Sequence, residues 1–106
     1  MINLTAIGRL GKDPEMKYFE SGKVVASFSI ANKEWDSKAK ENKTSWYNVE
    51  VWGKQAETIG EYVKQGHKIA VSGELYTQKW QDNEGNEKSK VVIKANKVEL
   101  QEKKES

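Results

Sequence analysis

Cysteine is absent from the 106 residues, which excludes a disulfide framework and a thiolate metal site, and nothing in the chain calls for an oxidising compartment. Histidine is nearly absent. The single His67 directly follows Gly66, where a turn residue is a simpler reading than a general base, and proton-transfer catalysis needs positioned partners that the sequence does not supply. One histidine and scattered carboxylates make no ligand spacing for zinc or calcium. The eight glycines are dispersed at turns and form no phosphate-binding loop. These absences argue against an enzyme, and neither a cofactor nor a metal is expected.

Long apolar runs are missing too. Met1 to Leu10 alternates apolar and polar residues, without the stretch that a signal peptide or membrane span needs, so a soluble protein in a reducing, intracellular location is expected. A chain of this length fits one domain, which buries roughly 60 to 70% of its unfolded surface. With 36% hydrophobic and 32% charged residues, the core must come from sparse, well-placed apolar side chains, and half-buried strands suit that best. The net charge of +2 and isoelectric point near 8.7 permit a nucleic-acid partner without demanding one.

What the chain does contain is alternation. Ile2, Leu4 and Ala6 share one face of a first strand that ends near Gly8 or Leu10, and Asp13-Pro14 marks a turn. After Met16 to Phe19 and a turn at Glu20 to Lys23, a second strand puts Val24, Ala26, Phe28 and Ile30 on one face, with Val25, Ser27 and Ser29 facing away. Lys33 to Thr44 is polar and reads as a long exposed loop or hairpin tip; Ser45 to Trp52 is a third strand. Over Lys54 to Gln65, Ala56, Ile59 and Val63 make a helical stripe with Gly66 as its C′ residue. Ile69, Val71, Leu75 and Thr77 form a fourth strand in which Gly73 suggests a bulge or barrel bend. Trp80 to Lys88 reads as a second polar loop, and Ser89 to Leu100 as a fifth strand. Residues 1–100 are thus the expected domain, and Gln101 to Ser106 a frayed charged tail. Three strands, a helix and two strands match an all-β, five-stranded OB barrel with one short helix between its third and fourth strands, a fold that binds oligonucleotides on its face and loops. An open sheet has the same order.

The four tryptophans stand out against this pattern. In the third strand Tyr47, Val49 and Val51 share one parity, whereas Trp46 and Trp52 fall with Asn48 and Glu50. Trp80 falls opposite the apolar face of the fourth strand, and Trp35 lies between Glu34 and Asp36 with no local apolar face to receive it. Burial in the core or at a subunit interface would suit any one of these rings. The joint pattern favours a ligand, because lysines are interleaved: Lys33, Lys38, Lys40 and Lys43 around Trp35 and Trp46, Lys54 after Trp52, Lys79 before Trp80. Stacking contributes about 1 to 3 kcal/mol per base while lysines follow the backbone charge. Duplex DNA offers no open base faces to such rings.

Several spaced segments carry a resemblance. Ile7-Gly8-Arg9-Leu10 with Asp13-Pro14-Glu15, then Ser21-Gly22-Lys23-Val24-Val25-Ala26, Trp52-Gly53-Lys54-Gln55-Ala56-Glu57, Tyr62-Val63-Lys64-Gln65-Gly66, Val71-Ser72-Gly73-Glu74-Leu75 and Thr77-Gln78-Lys79-Trp80 together resemble the bacterial-type single-stranded DNA-binding proteins, the SSB family, from about Ile2 to Leu100. The resemblance implies an OB fold, usually a homotetramer, that binds single-stranded DNA with little sequence preference in replication, recombination and repair, in the cytoplasm on the nucleoid or in an organelle of bacterial descent. It implies stacking on Trp35, Trp46, Trp52 and Trp80, with Trp52 at a place often held by Phe. Lys54, Lys64 and Lys79 match phosphate-contacting positions, and the residue pattern adds Lys33 and Lys43. Gln65 and Gln78 stand where the family is often basic, which implies a shallower salt dependence. The family commonly continues into a Gly/Pro/Gln-rich linker and an acidic tip that recruits replication and repair enzymes. Lys103-Lys104-Glu105-Ser106 carries no such function, and a trimmed chain and a naturally tail-less member read alike here.

Two binding modules compete with this reading. A protein-binding domain would use the same rings on another chain, and oligo-dT quenching of tryptophan emission separates the two. An RNA-binding cold-shock domain would need clustered Phe and His, whereas only Phe19 and Phe28 occur, and Phe28 falls on the core face.

Overall fold

The protein is described over residues 1–101 by a computed structural model. Its elements are β1 (Ile2–Leu10), β2 (Glu15–Tyr18), β3 (Val24–Asp36), β4 (Glu41–Trp52), α1 (Lys54–Tyr62), β5 (Lys68–Gln81) and β6 (Glu87–Leu100). The strands form one sheet in the order β1-β5-β6-β4-β3-β2. The end of β1 then pairs with β3, Arg9 opposite Ala31 and Leu10 opposite Ile30, and closes five strands into a barrel. The open-sheet alternative is ruled out by this closure, and the expected OB architecture, with its helix after β4, is what forms. β2 is an extra short strand that borders β3 where only an irregular stretch was expected.

Parity decides what faces inward. Val24, Ala26, Phe28 and Ile30 of β3 meet Val49 and Val51 of β4, Ile69 and Val71 of β5, and Ile93 and Ala95 of β6, all buried. Burying one such aliphatic side chain contributes about 1.5 to 3 kcal/mol, and a one-residue slip would turn a whole strand's set into water. The register is therefore held energetically, and the opposite parity is committed to the outer surface. α1 seals one end of the barrel with Ala56 and Ile59, followed by the extended Val63.

Three expectations need correction, and the surroundings of Val25 are a further finding. Of the two readings of the polar stretch Lys33 to Thr44, the long loop is wrong and the hairpin forms, but most of the stretch is its arms: β3 runs on to Asp36 and β4 starts at Glu41, so only residues 37–40 turn. Asp36 Oδ1 shapes that turn by accepting the N–H groups of Lys38 (2.9 Å) and Ala39 (3.1 Å). Likewise Trp80 to Lys88 is two strand ends joined at Asp82 to Asn86, where Asp82 Oδ1 accepts from the Glu84 and Asn86 amides at 2.9 Å each. The helix stops at Tyr62, and Gly66, at φ 85°, belongs to the later turn into β5. Val25 points outward as its parity requires yet is buried, because Trp52 lies across from it and Phe19 stacks on Trp52 at 5.7 Å and 14°.

Gly73 marks the bulge anticipated from its place in the fourth strand: the β5–β6 register shifts between Ser72 and Gly73, and a Cβ there would collide with the Lys94 carbonyl. Of the charged tail expected over residues 101–106, only Gln101 falls among the described residues; its N–H donates to the Lys68 carbonyl at 2.8 Å.

Candidate nucleic-acid interface

Residues directly opposite each other in a ladder project from the same face of the sheet. Across β3 and β4 the pairs Val25 with Trp52, Ala31 with Trp46, Lys33 with Thr44 and Trp35 with Asn42 therefore share one side, and it is the side turned away from the core. The parallel pairing of Asn48 with Val92, and the antiparallel pairing of Val92 with Tyr76 beyond it, extend that side over β6 and β5. Tyr76, Gln78 and Trp80 of β5 and Lys88, Lys90 and Lys94 of β6 join it. All four tryptophans thus occupy one continuous face, 64% (Trp35), 59% (Trp46), 37% (Trp52) and 46% (Trp80) exposed. None is part of the core, in line with the parity argument.

Between the two tryptophans of β4 the face dips into a groove of about 460 Å³, lined by Ser27 and Ser29 of β3, Trp46, Asn48 and Glu50 of β4, and Lys90 and Val92 of β6. The Gly11-to-Glu15 segment forms its far wall. Gly11 is required there: a Cβ would come within 2.7 and 2.9 Å of the Trp46 ring, so the indole lies against bare backbone. The floor is firm. Val92 is fully buried, and Asn48 is held at both ends of its amide, accepting from Ser29 Oγ (3.2 Å) and donating to the Val91 carbonyl (3.3 Å). Tyr76 donates its hydroxyl to Glu50 Oε1 at 2.6 Å. Burial first, then that hydrogen bond and the charge behind it, push the Tyr76 phenol up to about 12.

The lysines divide. Lys33 lies on the tryptophan face, whereas Lys43, opposite Glu34, and Lys79, opposite Ser89, have the other parity and sit on the backs of the two hairpins. Lys43 Nζ is also held by Asp36 Oδ2 at 2.7 Å, and this contact, with the turn amides of Ala39 and Lys38, keeps the Asp36 carboxyl below its ordinary range. Lys54 opens α1 beside Trp52, and Lys64 Nζ donates to the Gly60 carbonyl at 3.1 Å beyond the far end of that helix. Sequence reasoning passed over Lys88, Lys90, Lys94 and Lys12, although the even-numbered lysines of β6 carry a period-2 signal. It also passed over Phe19, which covers one face of Trp52 and has Lys17 Nζ 5.2 Å from its centroid.

Comparison with known proteins shows the family. The profile of the single-strand binding protein family matches residues 1–101. The chain belongs to that family. It is 46% identical over 95 residues to a single-stranded DNA-binding protein 1 of Synechocystis, covering 89% of this chain and 78% of that protein. It is 42% identical over 95 residues to the single-stranded DNA-binding protein 2 of Nostoc, covering 89% and 72%. A solved Plasmodium falciparum SSB in complex with single-stranded DNA superposes with a TM-score of 0.81 at 30% identity, covering 94% of this chain and 92% of that one. Single-stranded DNA binding is common to the family description, these relatives and the solved complex. Among the described residues of this family member, no helix is long and apolar enough to cross a membrane, and no group of three or more metal-ligating side chains forms.

Proposed function

We propose that the barrel binds and shields single-stranded DNA without catalysis, cofactor or metal, in replication, recombination and repair. One observation carries the reading: Trp35, Trp46, Trp52 and Trp80 share a single solvent-facing sheet surface, with Trp46 lining a groove in it, in a chain of the single-strand binding family. Open indole faces accept any base, which suits binding with little sequence preference. Trp46 and Trp35 are the principal stacking platforms, with Trp80 beside them; Trp52 acts jointly with Phe19 through its remaining face. Lys33 and Lys54 hold phosphates on the direct path, and Lys64, Lys43 and Lys79 come into play only where the strand wraps around the helix end and the backs of the hairpins. Residues 1–100 constitute the binding domain, and the proposed location is the cytoplasm, on the nucleoid.

The chain assembles, in this reading, as a homotetramer, since protecting a long strand needs several barrels. Ile2 and Ile7 of β1, 58% and 43% exposed in the isolated chain, offer apolar surface for such contacts. Light scattering is expected to show four copies, and a stable monomer would remove the claim. The function is tested by titrating oligo-dT while following tryptophan emission at two salt concentrations. Strong quenching that weakens with salt is expected; unchanged emission and no affinity would overturn the proposal.

A further inference from the structure

The groove between Trp46 and Glu50 has two unlike ends. Along β4 and β6 the pairing of Asn48 with Val92 places Lys90 at the level of Trp46, and Lys12 follows the glycine against which that ring lies. This end is cationic. Four residues further along β4 stands Glu50, with Ser27 directly across from it in β3 and Glu15 beyond Ser27 in β2. Both carboxylate residues line the same groove, and although Lys94 of β6 pairs with Glu50, two carboxylates to one ammonium leave that end net negative, so a phosphate there would be disfavoured. A base edge would not be.

We propose that Glu50 selects bases carrying an exocyclic amino group, cytosine above all, against thymine at this one position of the bound strand. The inference rests on the single-strand reading above. A nucleotide lying in the groove puts its phosphate at Lys12 and Lys90, its base against Trp46, and its far edge at Glu50. The geometry of Glu50 suits an acceptor. Tyr76 holds Oε1 from below at 2.6 Å, and among the described residues no other hydrogen bond or ion pair occupies the carboxylate. Its second oxygen is thus available to the 4-amino group of cytosine, the donor that Glu or Asp reads in base recognition. Thymine presents a carbonyl oxygen there and meets a negative charge. Asn48 cannot compensate by turning its amide, since both ends are engaged.

The test compares oligo-dC, oligo-dT and an oligomer of 2-pyrimidinone deoxynucleotides, which is cytosine without its amino group, in mildly alkaline buffer. The wild-type chain is expected to bind oligo-dC roughly 10- to 150-fold more tightly than the amino-free oligomer, the worth of one charge-assisted hydrogen bond. Glu50→Ala should bring that ratio close to one. Equal wild-type affinity for the two ligands overturns the proposal with no variant needed. So does a Glu50→Ala chain that gains affinity for all three oligomers by the same factor, because Glu50 would then act only by repelling phosphate. Failure to bind any oligomer, oligo-dT included, sinks the single-strand function itself.

Discussion

Replacing Trp46 by alanine removes a ring that is 59% exposed and rests on the backbone of Gly11. Its strand neighbours on the inner face, Val49 and Val51, stay buried whatever occupies position 46, so the barrel keeps its core. The binding surface loses one stacking platform and the wall of the groove. A base that stacks there contributes about 1 to 3 kcal/mol, which corresponds to a loss of roughly 5- to 150-fold in affinity. The stacking part of the loss should be alike for oligo-dT and oligo-dA, because every base presents a π-face. Fluorescence cannot report it cleanly once a tryptophan is gone, so the assay is calorimetry or anisotropy of a labelled oligomer, paired with a thermal melt. A variant that melts much earlier than wild type would refute the reasoning, since the ring would then be a core element. Wild-type affinity in a folded variant would refute it equally, by showing that the strand avoids the face.

Trp52→Ala is expected to behave differently, losing about 1 to 2 kcal/mol of stability, below the 3 to 5 typical of a fully buried aromatic, because it uncovers Val25 and frees Phe19; a chemical denaturation curve checks this, and Trp52→Phe should recover most of the loss. Gly11→Ala should lower DNA affinity while moving the melting temperature little, since the added Cβ displaces the Trp46 ring and leaves the core alone. Lys90→Gln should flatten the slope of log K against log salt by about 0.7, one single-strand phosphate contact, whereas Lys43→Gln should change it less because Asp36 already holds that ammonium. In an alkaline absorbance titration, the Tyr76 phenol should ionise late, at about 12. With the folded phenol raised from 10.0, its stabilising contribution is complete below the unfolded value and disappears as the pH climbs through the folded one. Tyr76→Phe should abolish that late step.

Where one face of a strand is buried, alternation alone located it. Val24, Ala26, Phe28 and Ile30, Val49 with Val51, and Ile69 with Val71 all lie inside as their spacing implied. The hairpin arms were illegible for the complementary reason. Over residues 33–35 and 41–44, and again over 77–81 and 87–91, the strand ends run out beyond the core and both their faces meet solvent. With no buried side there is no period-2 signal to find, and a polar ladder reads like a loop. The closure of β1 onto β3 left no local mark either, because it is a long-range pairing of two residues.

The site was legible to the extent that it is the negative of the core. A large ring at the parity opposite to Val49 and Val51 has nowhere to go but the outer surface, so the placement of Trp46 and Trp52 followed from the same alternation that placed the valines. Trp80 follows through the β5 register. What parity could not say is which outer-facing residues from different strands become neighbours, since that depends on the parallel pairing of β4 with β6. This pairing sets Lys90 beside Trp46 and brings Tyr76, by way of Val92, to Glu50. The groove is therefore a tertiary feature built from residues that are unremarkable one strand at a time, and the lysines assigned by nearness in sequence to a tryptophan, Lys43 and Lys79, fall behind the hairpins because adjacent residues in a strand face opposite ways.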